Sequence, residues 1–289
     1  MRKMLFSVCT VLAVLGCGGD DGDLPECLGL DCIITVYGKC GEWAYDKSKS
    51  TEACCNDKEV YNPKTQACCN NKEIYNPIYN PETQYCSNNT VKTYSGTISY
   101  GGQTYKTTVI GTQTWFAENL NYDVSGSKCY NEEPDNCIKY GRLYDWSTAM
   151  DFPSSCNSSN CSSPIQSPHR GICPDGWHIP NEAEWKTLSN YVKNNSGCSS
   201  CDAKKLKAQS GWNSGGNGTD DYGFSALPGV VGYSDGRFYS VGRGYWWSAS
   251  VYESGSVSAY MWDVDYHDDD AYSNYSDKSH LLSVRCLQD

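Results

Sequence analysis

Apolar and polar residues follow four successive patterns along this chain of 289 residues. After two basic residues, residues 4–15 are almost wholly apolar, which is typical of an export signal. Residues 17–26 are small and acidic, and residues 27–90 carry few apolar positions among cysteines and Asn-Pro pairs. Residues 91–289 show strand and helix periodicities. The pattern predicts one globular domain, preceded by a region with too few apolar side chains for its own core.

Two segments near the start of the globular region are clearly periodic. The segment GTISYGGQTYKTTVIGTQTW alternates on both sides of Gly101-Gly102, which predicts a β-hairpin. Leu143, Trp146 and Met150 recur at helical spacing and predict a short helix. Strand and helix patterns together indicate an α+β domain.

The stretch GICPDGWHIPNEAEWKTLSNYV, residues 171–192, predicts the start of a helix. Asn181 stands at the N-cap position, and Glu184 follows three residues later, as in a capping box. Pro180 can pack on Trp185 as a hydrophobic staple. The predicted helix has one apolar face, formed by Trp185, Leu188 and Val192.

The same stretch allows two chemical interpretations. Cys173 and His178 could act as nucleophile and base, but an exported chain with paired cysteines is not expected to keep a free thiolate. His178 and Glu182 could bind a metal, but Pro180 lies between them and breaks the helical spacing. We therefore interpret the stretch as a helix start and expect no catalytic residue in it.

The apolar run is shorter than the roughly 20 residues that a membrane-spanning helix needs, and it ends in VLGCGG. This ending resembles a lipobox, so we expect residues 1–16 to be a signal peptide that is removed. Cys17 would carry lipid and anchor the chain in the outer membrane at the cell surface. Residues 17–26 would form an acidic tether. An ordinary secretory signal with an incidental cysteine is the alternative.

Cysteine usage also indicates an oxidising compartment. The chain has 18 cysteines. One lies in the signal and one at the predicted anchor, and the other 16 divide evenly between residues 27–90 and 91–289. Even numbers predict disulfides within each region and no free thiol. Zinc is the alternative, but Cys198 and Cys201 form the only C-x-x-C spacing.

Residues 27–90 contain a repeat of 14 residues, in which ACCNDKEVYNPKTQ is followed by ACCNNKEIYNPIYN. Asn-Pro favours a turn in each copy, and cystines must replace the missing core. We predict a stalk of small disulfide-linked hairpins. Alternatively, Tyr61, Tyr75 and Tyr79 stack on sugar rings.

The formal net charge of −11 argues against a nucleic-acid partner. Part of this acidity lies in one late segment, where Asp263, Asp265 and Asp268 offer the oxygen ligands that calcium prefers. We therefore expect a solvated acidic loop and no cofactor, and a calcium site is the alternative.

The tail from Gly223 to Cys286 has the composition of strands and loops, and it is rich in aromatic residues. If YWWSAS is a strand, Trp246 and Trp247 point to opposite faces, and one layer can bury only one of them. The aromatic residues are Tyr245, Trp246, Trp247, Tyr252, Tyr260, Trp262, Tyr266, Tyr272 and Tyr275. Aromatic side chains on loops suit polysaccharide binding, and the predicted ligand contacts are Tyr260, Trp262, Tyr266, Tyr272 and Tyr275.

Six motifs stand in a characteristic order: WFAENLNY, CYNEEPDNCIKYGRLYDW, GICPDGWHIPNEAEWKTL, DDYGFSALPG, GYWWSAS and LSVRCLQD. Over about residues 95–289 the chain resembles the Fibrobacter succinogenes major paralogous domain. The resemblance implies an α+β, C-type-lectin-like fold with two short helices, a twisted antiparallel sheet and long loops. It also implies a long-range disulfide between Cys173 and Cys286. The implied local disulfides are Cys129–Cys137, Cys156–Cys161 and Cys198–Cys201.

Two functions are known for that fold, and the motifs of this chain do not support assigning either of them to it. Glu133-Pro134-Asp135 resembles a lectin calcium loop but precedes the first predicted helix, and Trp262-Asp263 matches the lectin strand only in part. HIPNEAEW resembles the helix start of formylglycine-generating enzymes. Those enzymes use a late cysteine pair, whereas only Cys286 follows Cys201 here.

The expected function is that of a cell-surface lipoprotein with a non-catalytic binding or adhesion domain. Its partner would be plant-wall polysaccharide or another surface protein. A structural envelope protein without a small ligand is the second hypothesis. An enzyme related to formylglycine-generating enzymes is the third.

Overall fold

The computed structural model divides into two compact units, Met1–Pro81 and Glu82–Asp289. It describes the backbone of residues 37–40, 43–46, 53–55, 59–61, 66–69, 78–87, 90–239, 242–253 and 257–289. The predicted signal peptide, Cys17 and the acidic tether lie outside these residues. None of the helices within them is long and apolar enough to cross a membrane.

Short antiparallel hairpins make up the described part of the first unit. Ala53 pairs with Tyr61 in one of them, and Ala67 pairs with Tyr79 in the next. Each repeat copy therefore places its Ala-Cys strand beside a tyrosine-bearing strand. The strands are β1 Tyr37–Cys40, β2 Trp43–Asp46, β3 Ala53–Cys55, β4 Glu59–Tyr61, β5 Ala67–Cys68 and β6 Ile78–Tyr79. They pair β1 with β2, β3 with β4 and β5 with β6.

The second unit contains a hairpin and two larger antiparallel sheets. The hairpin joins β7 Gln84–Ser87 to β8 Thr90–Thr93. A five-stranded sheet has the order β12-β16-β11-β10-β9, and a three-stranded sheet has the order β13-β14-β15. Their strands are β9 Gly96–Tyr100, β10 Gln103–Ile110, β11 Gln113–Phe116, β12 Trp177–His178, β13 Arg243–Val251, β14 Ser258–Asp265, β15 Ala271–Asp277 and β16 Leu287–Gln288.

Four short α-helices accompany these sheets in the described residues, which makes the unit α+β with mostly sheet. They are α1 Pro134–Tyr140, α2 Trp146–Ala149, α3 Glu182–Asn195 and α4 Asp202–Leu206. Helices α2 and α3 are the two that the sequence predicted. Single 3-10 turns occur at Tyr130–Glu132, Ser154–Asn157 and Asn213–Gly215.

The start of α3 is a complete capping box. The Asn181 Oδ1 atom accepts from the Glu184 backbone N–H at 3.0 Å, and Glu184 Oε2 accepts from the Asn181 N–H at 2.8 Å. Trp185, Leu188 and Val192 are all buried on the apolar face of the helix. The local prediction for residues 171–192 is thus confirmed.

Two hydrophobic clusters form the core of the second unit. Trp246 and Trp247 follow one another in β13, and each is fully buried. Because successive strand residues face opposite ways, Trp246 packs in one cluster with Trp185, and Trp247 packs in the other with Met150. Strand β13 is therefore buried on both faces along this stretch.

A buried polar network connects distant parts of the second unit. The Asn119 Oδ1 atom accepts from Trp246 Nε1 at 2.8 Å and from Arg285 Nη2 at 2.7 Å. The Arg285 guanidinium also donates to the Phe224 carbonyl and lies 4.2 Å from the centre of the Phe224 ring. Burial lowers the pKa of Arg285 to about 9. Residues from four of the sequence motifs thus meet in one core.

The four disulfides that the resemblance implied are present, each with both of its cysteines in the second unit. Cys173–Cys286 spans 113 residues, and both cysteines are fully buried. The local pairs are Cys129–Cys137, Cys156–Cys161 and Cys198–Cys201. Cys173 is therefore not a free thiol and cannot serve as the nucleophile considered from the sequence.

Candidate ligand-binding site

Three tyrosines at the end of the three-stranded sheet form an aromatic cluster, here called the tyrosine surface: Tyr252, Tyr260 and Tyr275. Tyr260 of β14 stands directly opposite Tyr275 of β15. The Tyr252 ring stacks on the Tyr275 ring with centroids 4.0 Å apart, and it meets the Tyr260 ring edge-on at 5.3 Å. Tyr275 remains 50% exposed, so the cluster presents aromatic area to solvent.

Polar groups from α3 lie on the same side of the sheet. The Ser273 hydroxyl donates to Glu182 Oε1 at 3.0 Å, which ties β15 to the start of the helix. Glu182 also pairs with Lys186, and this hydrogen bond raises the pKa of the lysine. The aromatic cluster therefore has a charged and hydroxyl-bearing rim.

A cleft of about 490 Å³ is lined by residues of β13 that directly precede Tyr252 in the chain. Ser250 and Val251 line it, and Tyr252 is the next residue along the chain. His178 and Asn181 contribute polar atoms from the segment before α3. A concave cleft beside exposed aromatic rings is a common arrangement for binding small molecules.

His178 is held inside this region by two carboxylates. Its Nδ1 lies 2.7 Å from Asp289 Oδ1, and its Nε2 lies 3.0 Å from Glu184 Oε1. Burial opposes protonation, but these two hydrogen bonds outweigh it and raise the pKa of His178. Both ring nitrogens are thereby engaged, so neither is free to act as a base or to bind a metal with Glu182.

The five aromatic residues predicted as ligand contacts do not form one surface. Trp262 is corrected to a core residue, because it is 2% exposed and stacks on Trp185 with centroids 4.9 Å apart. Tyr266 packs against the same core cluster and on His267. Tyr272 is 46% exposed, but it lies three residues from Tyr275 and therefore on the opposite face of β15. Only Tyr260 and Tyr275 of the predicted set belong to the tyrosine surface.

Tyr252 is the member of the cluster that the predicted set left out. Val251 pairs with Ala259, so Tyr252, which follows Val251, lies on the same face of the sheet as Tyr260, which follows Ala259. A hydrogen bond from the Tyr252 N–H to the Ser258 carbonyl, 3.2 Å long, fixes this position. Tyr252 was recognised in the sequence as one of the late aromatic residues. Its contact with Tyr275 depends on how the strands pair, which the sequence pattern does not show.

The three carboxylates predicted as calcium ligands point to separate partners. Asp265 pairs with Arg243, and Asp268 accepts from the Tyr272 hydroxyl at 2.8 Å. Asp263 is buried, which raises its pKa, and its nearest polar partner is the Asn274 amide at 3.5 Å. Within the described residues, no group of three or more His, Cys, Asp or Glu side chains is placed to hold a metal ion.

A buried lysine ammonium contacts the backbone of this acidic loop. Lys207 is 1% exposed, and its Nζ donates to the carbonyls of Asp265 at 3.1 Å and Asp268 at 2.8 Å. The ammonium also lies 5.4 Å from the centre of the Trp212 ring. Burial lowers the pKa of Lys207, and nearby aspartates oppose that effect. The loop is therefore held by an internal positive charge from the chain itself.

Comparison with known proteins identifies a family by sequence. The sequence profile of the Fibrobacter succinogenes major domain matches residues 109–288. This range includes the tyrosine surface, the cleft, and the Asn119 and Arg285 network. No curated protein and no solved structure matches the chain.

Proposed function

The chain belongs to the Fibrobacter succinogenes major domain family, and from that premise we propose that its second unit is a non-catalytic carbohydrate-binding module. The observation that carries the proposal is the stack of the half-buried Tyr252 ring on the exposed Tyr275 ring, beside Tyr260. Aromatic rings give a sugar an apolar platform, and tyrosine adds a hydroxyl at its edge. The rim of Glu182, Lys186 and Ser273 supplies hydrogen-bonding groups for sugar hydroxyls.

The two residues considered as catalytic candidates, Cys173 and His178, are both engaged in other bonds, which supports binding without catalysis. Cys173 is locked in a disulfide, and both ring nitrogens of His178 are held by carboxylates. We further propose that the unit has the C-type-lectin-like fold. Two features support it: a long-range disulfide ending in the last strand region, and a separate three-stranded sheet that carries exposed side chains.

We also propose that lipid on Cys17 holds the protein at the outer-membrane surface, with the hairpin repeats as a stalk. A radiolabelled acyl precursor should label the chain in cells. The Cys17→Ala variant should lose the label and leave the membrane fraction. Labelling that persists in this variant would contradict the anchor without affecting the proposal for the tyrosine surface.

Retention on insoluble plant-wall polysaccharides tests the binding function. The chain without residues 1–17 is mixed with cellulose, xylan or mannan, and the bound fraction is measured. Tyr275→Ala should weaken binding about 30-fold, since a central aromatic contact commonly contributes about 2 kcal/mol. Tyr272→Ala is the matched control, because it removes a tyrosine of similar exposure from the opposite face of the same strand. It should leave retention unchanged.

Three results would contradict the proposal. Retention on none of the polysaccharides would favour a structural role in the envelope. Equal losses in the two tyrosine variants would show that the tyrosine surface is not the contact. Hydrolysis or oxidation of the polysaccharide would show that the unit is an enzyme.

A further inference from the structure

A second concave site lies on a different part of the second unit. It has a volume of about 230 Å³ and is bounded by β10 and α1. Its lining shares no residue with the tyrosine surface or the cleft beside it. Pockets for drug-sized ligands measure roughly 300–1,000 Å³, so this one suits a single small ring.

Two lysines bring positive charge to this pocket, although the chain as a whole is acidic. Lys106 and Lys139 both line it, with Glu118 as the carboxylate among the lining residues. Lys106 lies 3.4 Å from Glu118 and 5.4 Å from the centre of the Tyr94 ring. Lys139 lies 4.7 Å from the centre of the Tyr140 ring. No carboxylate of the described residues forms an ion pair with Lys139, so its charge is available to a ligand.

A buried positive charge lies behind the same pocket. Asn119 lines the pocket, and its side chain accepts from the fully buried Arg285. Buried Asp220 opposes part of this charge and hydrogen-bonds Ser225, another lining residue. Counting these groups, the site is net positive by one, whereas the chain as a whole carries −11. Burial of Arg285 and Asp220 reduces the screening of their charges by water.

The remaining lining groups are those that sugars need. The rings of Tyr94 and Tyr140 offer apolar area. The side chains of Gln103 and Asn121 offer amide donors and acceptors, and Glu118 can accept from a hydroxyl. We propose that this pocket binds a single uronic acid residue, with its carboxylate held by the two lysines and its ring against the tyrosines. The inference is independent of the proposed function of the tyrosine surface.

A titration followed by NMR tests this assignment. The chain without residues 1–17, labelled with ¹⁵N, is titrated with D-galacturonate, D-galactose and acetate. Galacturonate should give saturable shifts at amides that line the pocket. Galactose and acetate should each bind at least about tenfold more weakly, since each lacks one part of the recognised group. Raising the salt concentration should weaken galacturonate binding.

Matched variants assign the effect to the pocket. Lys139→Gln should weaken galacturonate binding about tenfold, because a charge-assisted hydrogen bond is lost. Lys128→Gln removes the same charge from a lysine outside the pocket and should have no effect. Tyr275→Ala should also leave galacturonate affinity unchanged, which separates this site from the tyrosine surface.

Any one of four outcomes would overturn the inference: no saturable shift with galacturonate, equal binding of galactose, equal binding of acetate, or an unchanged affinity in Lys139→Gln. Equal binding of acetate would indicate a simple anion site. Equal binding of galactose would indicate a sugar site in which the lysines have no role.

Discussion

Removing the disulfide between Cys173 and Cys286 should destabilise the second unit much more than removing the one between Cys129 and Cys137. The two pairs differ in sequence separation, 113 residues against 8. A cross-link restricts the unfolded chain by an entropy that grows with the logarithm of the loop length. At 25 °C this gives about 4.8 kcal/mol for the long loop and about 2.5 kcal/mol for the short one.

Two details of the structure refine this estimate. The Cys198–Cys201 disulfide lies inside the long loop but shortens it by only three residues, so the entropy barely changes. Cys173 and Cys286 are both fully buried, and replacing them with alanine also removes packed sulfur atoms from the core. The loss for the long-range pair should therefore exceed that for the local pair by at least about 2 kcal/mol.

Urea denaturation of the two double Cys→Ala variants measures the difference. Tryptophan fluorescence reports mainly on the second unit, because eight of the nine tryptophans lie after residue 82. The free energy of unfolding is extrapolated to water for the unaltered chain and both variants. Equal losses, or a larger loss for the local pair, would refute the view that the long-range link holds the unit together by restricting the unfolded chain.

Three further outcomes are expected. Asn119→Ala should lower the free energy of unfolding by about 2–4 kcal/mol in urea denaturation, because the buried guanidinium of Arg285 loses an acceptor; no loss would refute the role of the network. The pKa of His178 is raised in the fold, since its hydrogen bonds to Glu184 and Asp289 outweigh burial. Its stabilising contribution should be full below about pH 6.5 and disappear as the pH rises through the folded pKa. Thermal unfolding of the unaltered chain and His178→Gln should therefore converge with increasing pH, and a growing difference would contradict this sign. Millimolar calcium should leave the melting temperature unchanged, because the carboxylates of the acidic loop already have partners; a rise would restore calcium as a cofactor.

Local features of the fold could be predicted from the sequence. The N-cap of α3 depends on Asn181 and Glu184 alone, and both were recognisable from their spacing. The β9–β10 turn needs positive φ at Gly101 and Gly102, which glycine adopts readily. The short helix near Trp146 was also expected, although it begins only at Trp146, after Leu143, and ends at Ala149. Such features are encoded within a few residues.

The candidate site depended on features that sequence periodicity does not contain. Trp262 and Tyr275 look alike as aromatic strand residues, but α3 covers one of them and leaves the other exposed. Lys207 gave no signal that its ammonium would be buried against carbonyls 58 residues away or more. Side-chain identity sets what each residue can do, and tertiary packing decides which of them meets solvent.

Strand β16 sits between β12 and β11, so Leu287 pairs with both His178 and Trp115. The parts of the five-stranded sheet made from early and middle residues are thus joined through residues that the ribosome adds late. A nascent chain stopped before Arg285 would also lack the guanidinium that Asn119 binds. Native folding of this unit must therefore wait until nearly all of it has been translated, which leaves a long interval in which chaperones can bind the open chain.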